Sequence, residues 1–427
     1  MKLYKHQQDA LDNTAEKSRV AYYHDMGLGK TFVGAEKMIQ LGAKVNLVVC
    51  QKSKIDDWVD HFTENYKIEP FDLTKPKEYI NFMYWLDSSP ESEMGKSVMI
   101  GIINYDLIWR RPDLLDLKDF TLMLDESSLI QHETSNRTKF IMKLRPKNVI
   151  LLSGTPTGGK YELLLSQLHL LGWKISEDLF WNQYIDWEWD ETSDGYWQKK
   201  IKDYRNVERL KRKMRAYGCD FLKTDEVMDL PDKVDQKIVV PSTKEYKEFK
   251  KEKYVAFDGA ELVGDSILTC MLYERQLCGQ YNQNKFEAFK DLVESTEDRL
   301  IVFYNFTEEL NTMWEWADSI RRPVSIVNGQ FKQLEHYEKY NNSITFIQYQ
   351  AGAMGLNLQK ANKIIYFTPP LSSELFEQSK KRIHRIGQKN VCFYYYLTCK
   401  GSVEEKIYKT LEKRRDYTDK LFEEDMI

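Results

Sequence analysis

Short apolar runs, each followed by an amphipathic stretch, recur along this chain in two series, and no other feature restricts its folding so strongly. The first series is VNLVVC at 45–50, SVMIGII at 97–103, FTLML at 120–124 and NVILL at 148–152. The second is RLIVF at 299–303, the run at 324–327, ITFIQ at 344–348, KIIYF at 363–367 and CFYYYL at 392–397. Strands that lack alternation are apolar on both faces, and a parallel sheet covered by helices on both sides satisfies that demand. The expected fold class is therefore α/β, with two doubly wound parallel-sheet lobes.

A length of 427 residues exceeds what one hydrophobic core usually supports, in keeping with two lobes. The expected division is 1–158 for the first lobe, 159–235 for a helical insertion and linker, 236–400 for the second lobe with a helical protrusion at about 243–290, and 401–427 for a C-terminal helix. Trp173, Trp181, Trp187, Trp189 and Trp197 crowd the insertion around a turn at Ser193-Asp194-Gly195. They are read as small cores rather than as a platform for stacked bases.

Apolar residues at 42% and charged residues at 30% are ordinary for a globular protein and exclude the disordered class. No run reaches 18 apolar residues, and the start MKLYKHQQDALD has no signal-peptide core, so a cytoplasmic location with no membrane partner is expected; a monomer is expected as well. The cysteines (Cys50, Cys219, Cys270, Cys278, Cys392, Cys399) form no CxxC pair and fit a reducing compartment. Net charge is −4, so binding to a polyanion would need a local stripe. The candidates are Lys199, Lys200, Lys202 and Arg205, then Lys211, Arg212, Lys213 and Arg215, and last Lys413, Arg414 and Arg415.

The chemistry concentrates where strand-like 20–23 runs into HDMGLGKT at 24–31 ahead of an amphipathic helix reaching about Gln40. Met26, Gly27, Leu28 and Gly29 form a turn whose backbone N–H groups can face an anion, and the helix N-terminus adds to that field. Lys30 can reach terminal phosphates and Thr31 can ligate magnesium. His24 stands where the strict GxxxxGK[ST] pattern has its first glycine. A magnesium–phosphate site also needs carboxylates at a neighbouring strand end, and FTLML leads directly into Asp125-Glu126-Ser127-Ser128. Asp125 would hold the metal, and Glu126 would orient and deprotonate water.

The order of further motifs resembles the Swi/Snf-type branch of superfamily-two helicases across nearly the whole chain. Leu3-Tyr4-Lys5-His6-Gln7 looks like the adenine-reading segment, with Gln7 as reader. LVVCQKSKIDDW (47–58) and GIINYDLI (101–108) resemble backbone-contacting segments, which points to Lys52, Ser53, Asn104 and Tyr105. LLSGTP (151–156) resembles the coupling motif, with Ser153, Gly154 and Thr155. GYWQKKIKDYRNVERLKRKM and FLKTDEVMDLPDKV resemble the lobe-linking region, and MLYERQLCGQY (271–281) the entry helix of the second lobe. QAGAMGLNL (350–358) resembles the segment binding both nucleic acid, through Gly352, and nucleotide, through Gly355 and Asn357. In QSKKRIHRIGQ (378–388), Arg382 and Arg385 look like paired arginines on a helix that reach the γ phosphate.

The resemblance implies two RecA-like lobes, ATP and Mg2+ as the nucleotide and metal, and translocation on DNA, duplex favoured and single strands allowed. It implies a compact stand-alone motor of the phage or bacterial kind, with replication or recombination proteins among its partners. An RNA helicase of the same superfamily is the nearest alternative, and a small-molecule P-loop ATPase the next. Departures stand at Ser128, where the family has histidine, at Gly158-Gly159 in place of Gln-Asn, and at Thr368-Pro369-Pro370-Leu371 in place of a Trp-Asn-Pro stretch.

Overall fold

The computed structural model describes residues 3–86, 98–191, 195–257, 260–352 and 356–422. Ser193, Asp194 and Gly355, which the sequence singles out, lie outside them. The chain divides into unit 1, residues 1–227 with 416–427, and unit 2, residues 228–415.

Unit 1 is built on strands β1 (Arg19–His24), β2 (Val45–Cys50), β3 (Phe71–Asp72), β4 (Met99–Asn104), β5 (Thr121–Asp125) and β6 (Asn148–Leu152). It also holds β7 (Ile185–Glu191), β8 (Trp197–Tyr204) and β9 (Cys219–Leu222). Seven of these form one parallel sheet in the order β3-β4-β2-β5-β6-β1-β9. Ala21 and Tyr23 of β1 face one core while Val20 and Tyr22 face another, as a sheet covered on both sides requires.

Unit 2 repeats the plan. Its sheet contains β10 (Lys233–Val240), β13 (Leu300–Tyr304), β14 (Val324–Val327), β15 (Ile344–Gln348), β16 (Lys363–Tyr366) and β17 (Cys392–Cys399), in the order β10-β17-β16-β13-β15-β14 and parallel throughout. A separate hairpin pairs β11 (Tyr254–Phe257) with β12 (Ala260–Val263). Ile301 and Phe303 face one core, and Leu300, Val302 and Tyr304 the other.

Every strand expected from an apolar run is present, with bounds that agree to within about two residues, the usual latitude of element ends. The additional sheet strands β3, β9 and β10 all lie at sheet edges. An edge strand needs no continuous apolar run, and β10 (KVDQKIVV) is exposed along most of its length.

The expected insertion at 159–235 is not purely helical. Residues 185–204 form the antiparallel pair β7–β8: IDWEWDE alternates with period two rather than 3.6, and WQKKIKDY, which does not alternate, is held extended by pairing with it. Trp187, Trp189, Trp197, Lys199 and Ile201 share one face by register. The small-core reading of the tryptophans therefore holds for Trp173, which is buried, but not for Trp189 and Trp197, which are 57% and 64% exposed.

Candidate nucleotide-binding site

In parallel α/β sheets ligands collect beyond the carboxyl ends of the strands, and the first sheet places its chemistry there. β1 ends at His24 and passes into the glycine loop, β5 ends at Asp125, β6 at Leu152 just before Ser153, β4 at Asn104 and β2 at Cys50 just before the Lys52–Lys54 turn. These ends are brought level by register: Cys50 pairs with Asn104 and Asp125 with Leu152.

Gly27 and Gly29 have φ values of 87° and 76°, the left-handed region that glycine adopts at least cost. Gly29 precedes the helix Lys30–Leu41, so the loop leads into a positive helix end. Gln7 lies directly on this loop: its side-chain N–H donates to the Leu28 carbonyl at 3.1 Å, and a Cβ on Gly29 would come within 2.2 Å of Gln7 Nε2. His6 also meets the Leu28 carbonyl at 3.1 Å. The Lys30 ammonium donates to the carbonyls of His24 and Asp25, at 2.9 and 3.2 Å. Met26 Cγ and Lys30 Nζ approach the Cβ position of Gly154, which brings the SGT segment against the loop. Gly29→Ala is expected to weaken nucleotide binding by roughly tenfold or more, since left-handed alanine costs ~1–2 kcal/mol and about 1.4 kcal/mol is a factor of ten. Fluorescent-nucleotide titration would check this, and unchanged affinity would show that the loop need not hold this conformation.

Asp125 is pushed up from the ordinary carboxylate range chiefly by burial, an effect opposed by the Trp58 indole N–H, which donates to its Oδ2 at 2.9 Å, and by Lys30 and Lys54. A desolvated carboxylate facing a lysine gains from a cation, so the chemistry of Asp125 suits a divalent-metal ligand. Glu126 sits at φ 56°, ψ 61°. A non-glycine residue in that region is held by its surroundings and is concentrated at functional positions. Its Oε2 lies 3.5 Å from the Ser153 hydroxyl, which joins the acidic pair to the SGT segment.

Lys52 and Ser53 are exposed at the end of β2. Asn104, Ser153, Gly154 and Thr155 are buried, and Tyr105 is 2% exposed with its hydroxyl donating to the Asp125 carbonyl at 2.9 Å. In this structure Tyr105 supports the acidic box from below and offers no surface to a polymer.

Unit 2 gathers the second set. Arg382 and Arg385 are not on a helix, contrary to the expectation: the helix Ser373–Lys380 ends before them and Gly387 at φ 94° closes a turn. Gln388 secures that turn by donating to the carbonyls of Gln359, Ala361 and Ile383 and accepting from the N–H groups of Lys389 and Asn390. The Leu358 N–H donates to the Arg382 carbonyl, so Asn357, which is exposed, borders the arginine turn. Arg382 is buried. Arg385 is half-buried, burial alone lowers its pKa, and its guanidinium has no hydrogen-bond or ion-pair partner among the described residues. Gly352 packs so closely that a Cβ would sit 3.0 Å from Phe303 and Ile347.

Sequence reasoning missed Trp58, and, although it found His24 in place of the first loop glycine, it missed what holds that histidine. His24 is fully buried and its Nε2–H donates to Asp220 at 2.7 Å. Burial holds its pKa down against that carboxylate. Asp25 in turn accepts from the N–H and hydroxyl of Thr224, both at 3.1 Å. The β1 end is therefore tied to β9 and the residues after it, partners some two hundred positions away that no local pattern reveals.

A profile of the SNF2-related domain matches residues 18–283, and one of the helicase conserved C-terminal domain matches residues 284–387. The yeast ISWI chromatin-remodeling complex ATPase ISW1 is 21% identical over 90% of this chain and 37% of its own length. The putative ATP-dependent helicase/translocase YwqA of Bacillus subtilis is 22% identical over 71% of this chain and 36% of its length. The chain thus spans well under half of these curated relatives. A Sulfolobus solfataricus SWI2/SNF2 ATPase core in complex with dsDNA aligns over 98% of this chain and 92% of that one, at 19% identity and a TM-score of 0.45. With the SNF2-related profile covering more than half of the residues, on a phosphate loop and acidic box that the fold brings together, this chain belongs to the SNF2-related family.

Proposed function

We propose that this chain is an ATP-driven translocase on duplex DNA. The observation that carries the reading is the shared carboxyl edge of the first sheet. It holds the phosphate loop and acidic pair beside the exposed Lys52-Ser53 turn, with Ser153 bridging toward Glu126. Nucleotide chemistry and polymer contact then bias one set of strand ends, which is what a motor requires.

ATP would lie on Gly27–Thr31 with Gln7 near its base. Lys30 would exchange its carbonyl partners for phosphate oxygens, and Thr31 and Asp125 would hold Mg2+, which supplies charge neutralisation on the phosphates. Glu126 would orient a water toward the γ phosphorus and take its proton as the bond to the β-bridging oxygen breaks. Arg382 and Arg385 would stabilise charge on the transferred group. The exposed Lys52 and Ser53 would meet the DNA backbone directly, with the buried Asn104, Tyr105, Ser153–Thr155 and Gly352 acting on that contact from behind it.

Duplex DNA is expected to stimulate ATP turnover more than single-stranded DNA, and RNA least. Base sequence should matter little, because phosphate contacts carry no direct sequence information. With net charge −4, few phosphates would be neutralised, so affinity should fall only gently with salt, by about 0.9 in log–log slope per phosphate. Turnover with matched lengths of each polymer at two salt concentrations tests this. Stimulation by RNA alone would make the chain an RNA helicase, and no stimulation by any polymer would favour a small-molecule ATPase.

A further inference from the structure

One buried side chain touches three of the segments described above, and no motif includes it. Gln167 lies on the helix Leu165–Leu170 within the apolar run LLLSQLHLL and is fully buried. Its Oε1 accepts from the hydroxyls of Ser127 at 2.8 Å and Tyr23 at 3.0 Å. Its Nε2 donates to the Pro156 carbonyl at 2.8 Å. Ser127 follows Glu126, Pro156 follows Thr155, and Tyr23 is the penultimate residue of β1, just ahead of the phosphate loop.

The orientation of this carboxamide is settled by its partners. A carbonyl can only accept, so Pro156 must face the amide N–H, and the two hydroxyls must then donate to the amide oxygen. Burying an amide in an apolar helix face is costly unless it is satisfied, and leucine of similar volume would meet the same packing. Here the group is satisfied only by linking three strand ends, so the linkage, and not the packing, distinguishes glutamine from leucine. Because the amide is planar and rigid, its oxygen and nitrogen move together, so a displacement of Ser127 is passed to the Pro156 carbonyl or breaks a bond in a dry environment. That makes the unit suited to two discrete arrangements. Gln131, at the end of the Ser127–Ile130 turn and with its N–H bonded to the Ser128 carbonyl, also donates to the Pro156 carbonyl, at 3.2 Å, and adds a second, longer tie between the same two segments.

We propose that Gln167 is a positioning residue that relays the nucleotide state of the acidic box to the SGT segment, so that DNA and ATP sense one another through Ser127, Gln167 and Pro156. This rests on the DNA-translocase reading. Gln167 touches neither phosphate nor DNA; it sets the coupling between them, which is reciprocal by linkage.

The test uses the full chain with ATP, a non-hydrolysable ATP analogue and a short DNA duplex. Gln167→Leu is expected to lower the ratio of DNA-stimulated to DNA-free turnover by tenfold or more. It should also abolish the change in duplex affinity that the analogue produces in the wild type. Ser127→Ala, which cuts one arm with little volume change, should reproduce the effect, and the double variant should be no worse than either single one. Ser166→Ala, the neighbouring buried hydroxyl bonded instead to the Ile130 carbonyl, should leave the ratio unchanged. Should Gln167→Leu misfold in thermal melts, Ser127→Ala alone decides. Retained stimulation and retained analogue-dependent affinity in a folded relay variant would overturn the relay while leaving the translocase reading intact. A wild type unresponsive to every polymer would overturn both. Parallel loss of stimulated and DNA-free turnover would reduce Gln167 to a structural role.

Discussion

Glu126→Gln is expected to keep nucleotide binding near the wild-type level while ATP turnover falls by roughly 10²–10⁴-fold, the range that a positioned general base contributes. The substitution removes the basic oxygen but keeps side-chain size. Lys30→Ala should behave differently. The ammonium now resting on the His24 and Asp25 carbonyls is the charge that ground-state phosphates would meet, so binding and turnover should be lost together. Equilibrium titration with labelled nucleotide, beside single-turnover hydrolysis, separates the two. Near-normal hydrolysis in Glu126→Gln would remove the base assignment and shift attention to water held by Ser153 or by the metal.

Arg385→Ala is expected to cost roughly 10³-fold in turnover, as losses of transition-state arginines do, with nucleotide affinity changed little. The reason lies in the guanidinium's present state: it is half-buried, desolvated and without a protein partner among the described residues. A charge held partly dry without a counter-ion gains most when a strong anion arrives, and the anion that grows during phosphoryl transfer is the γ group. Arg385→Lys should recover little, since a point charge does not reproduce the planar fork. Arg382, more deeply buried in the same turn, should show a larger fall in stability when truncated, which a thermal melt would detect. If Arg385→Ala instead weakened nucleotide binding in step with turnover, the residue would be a ground-state ligand.

Both lobes were legible because parallel strands buried on two faces must be apolar without interruption, and that pattern survives in one dimension. The phosphate loop and acidic pair were legible for a related reason: each is a local run directly after a strand, so sequence adjacency already encodes where it must sit. The edge strands β3, β9 and β10 lacked that pattern, since an edge needs neither burial nor continuous apolar residues. The Trp187 to Ile201 face hid in a segment whose charges suggested helix: IDWEWDE alternates with period two, but WQKKIKDY does not, and its strand conformation comes from the pairing. The arginine pair lies in a segment that reads as helix, and Gly387 with the many-bonded Gln388 makes it a turn. What tertiary structure alone decided are the partners of buried polar groups: Trp58 on Asp125, Asp220 on His24, Tyr105 beneath the acidic box and Gln167 between three strand ends. Such partners satisfy hydrogen-bonding groups withdrawn from water. They can come from any distance along the chain, so spacing cannot announce them, and only the packed sheet determines which donor meets which acceptor.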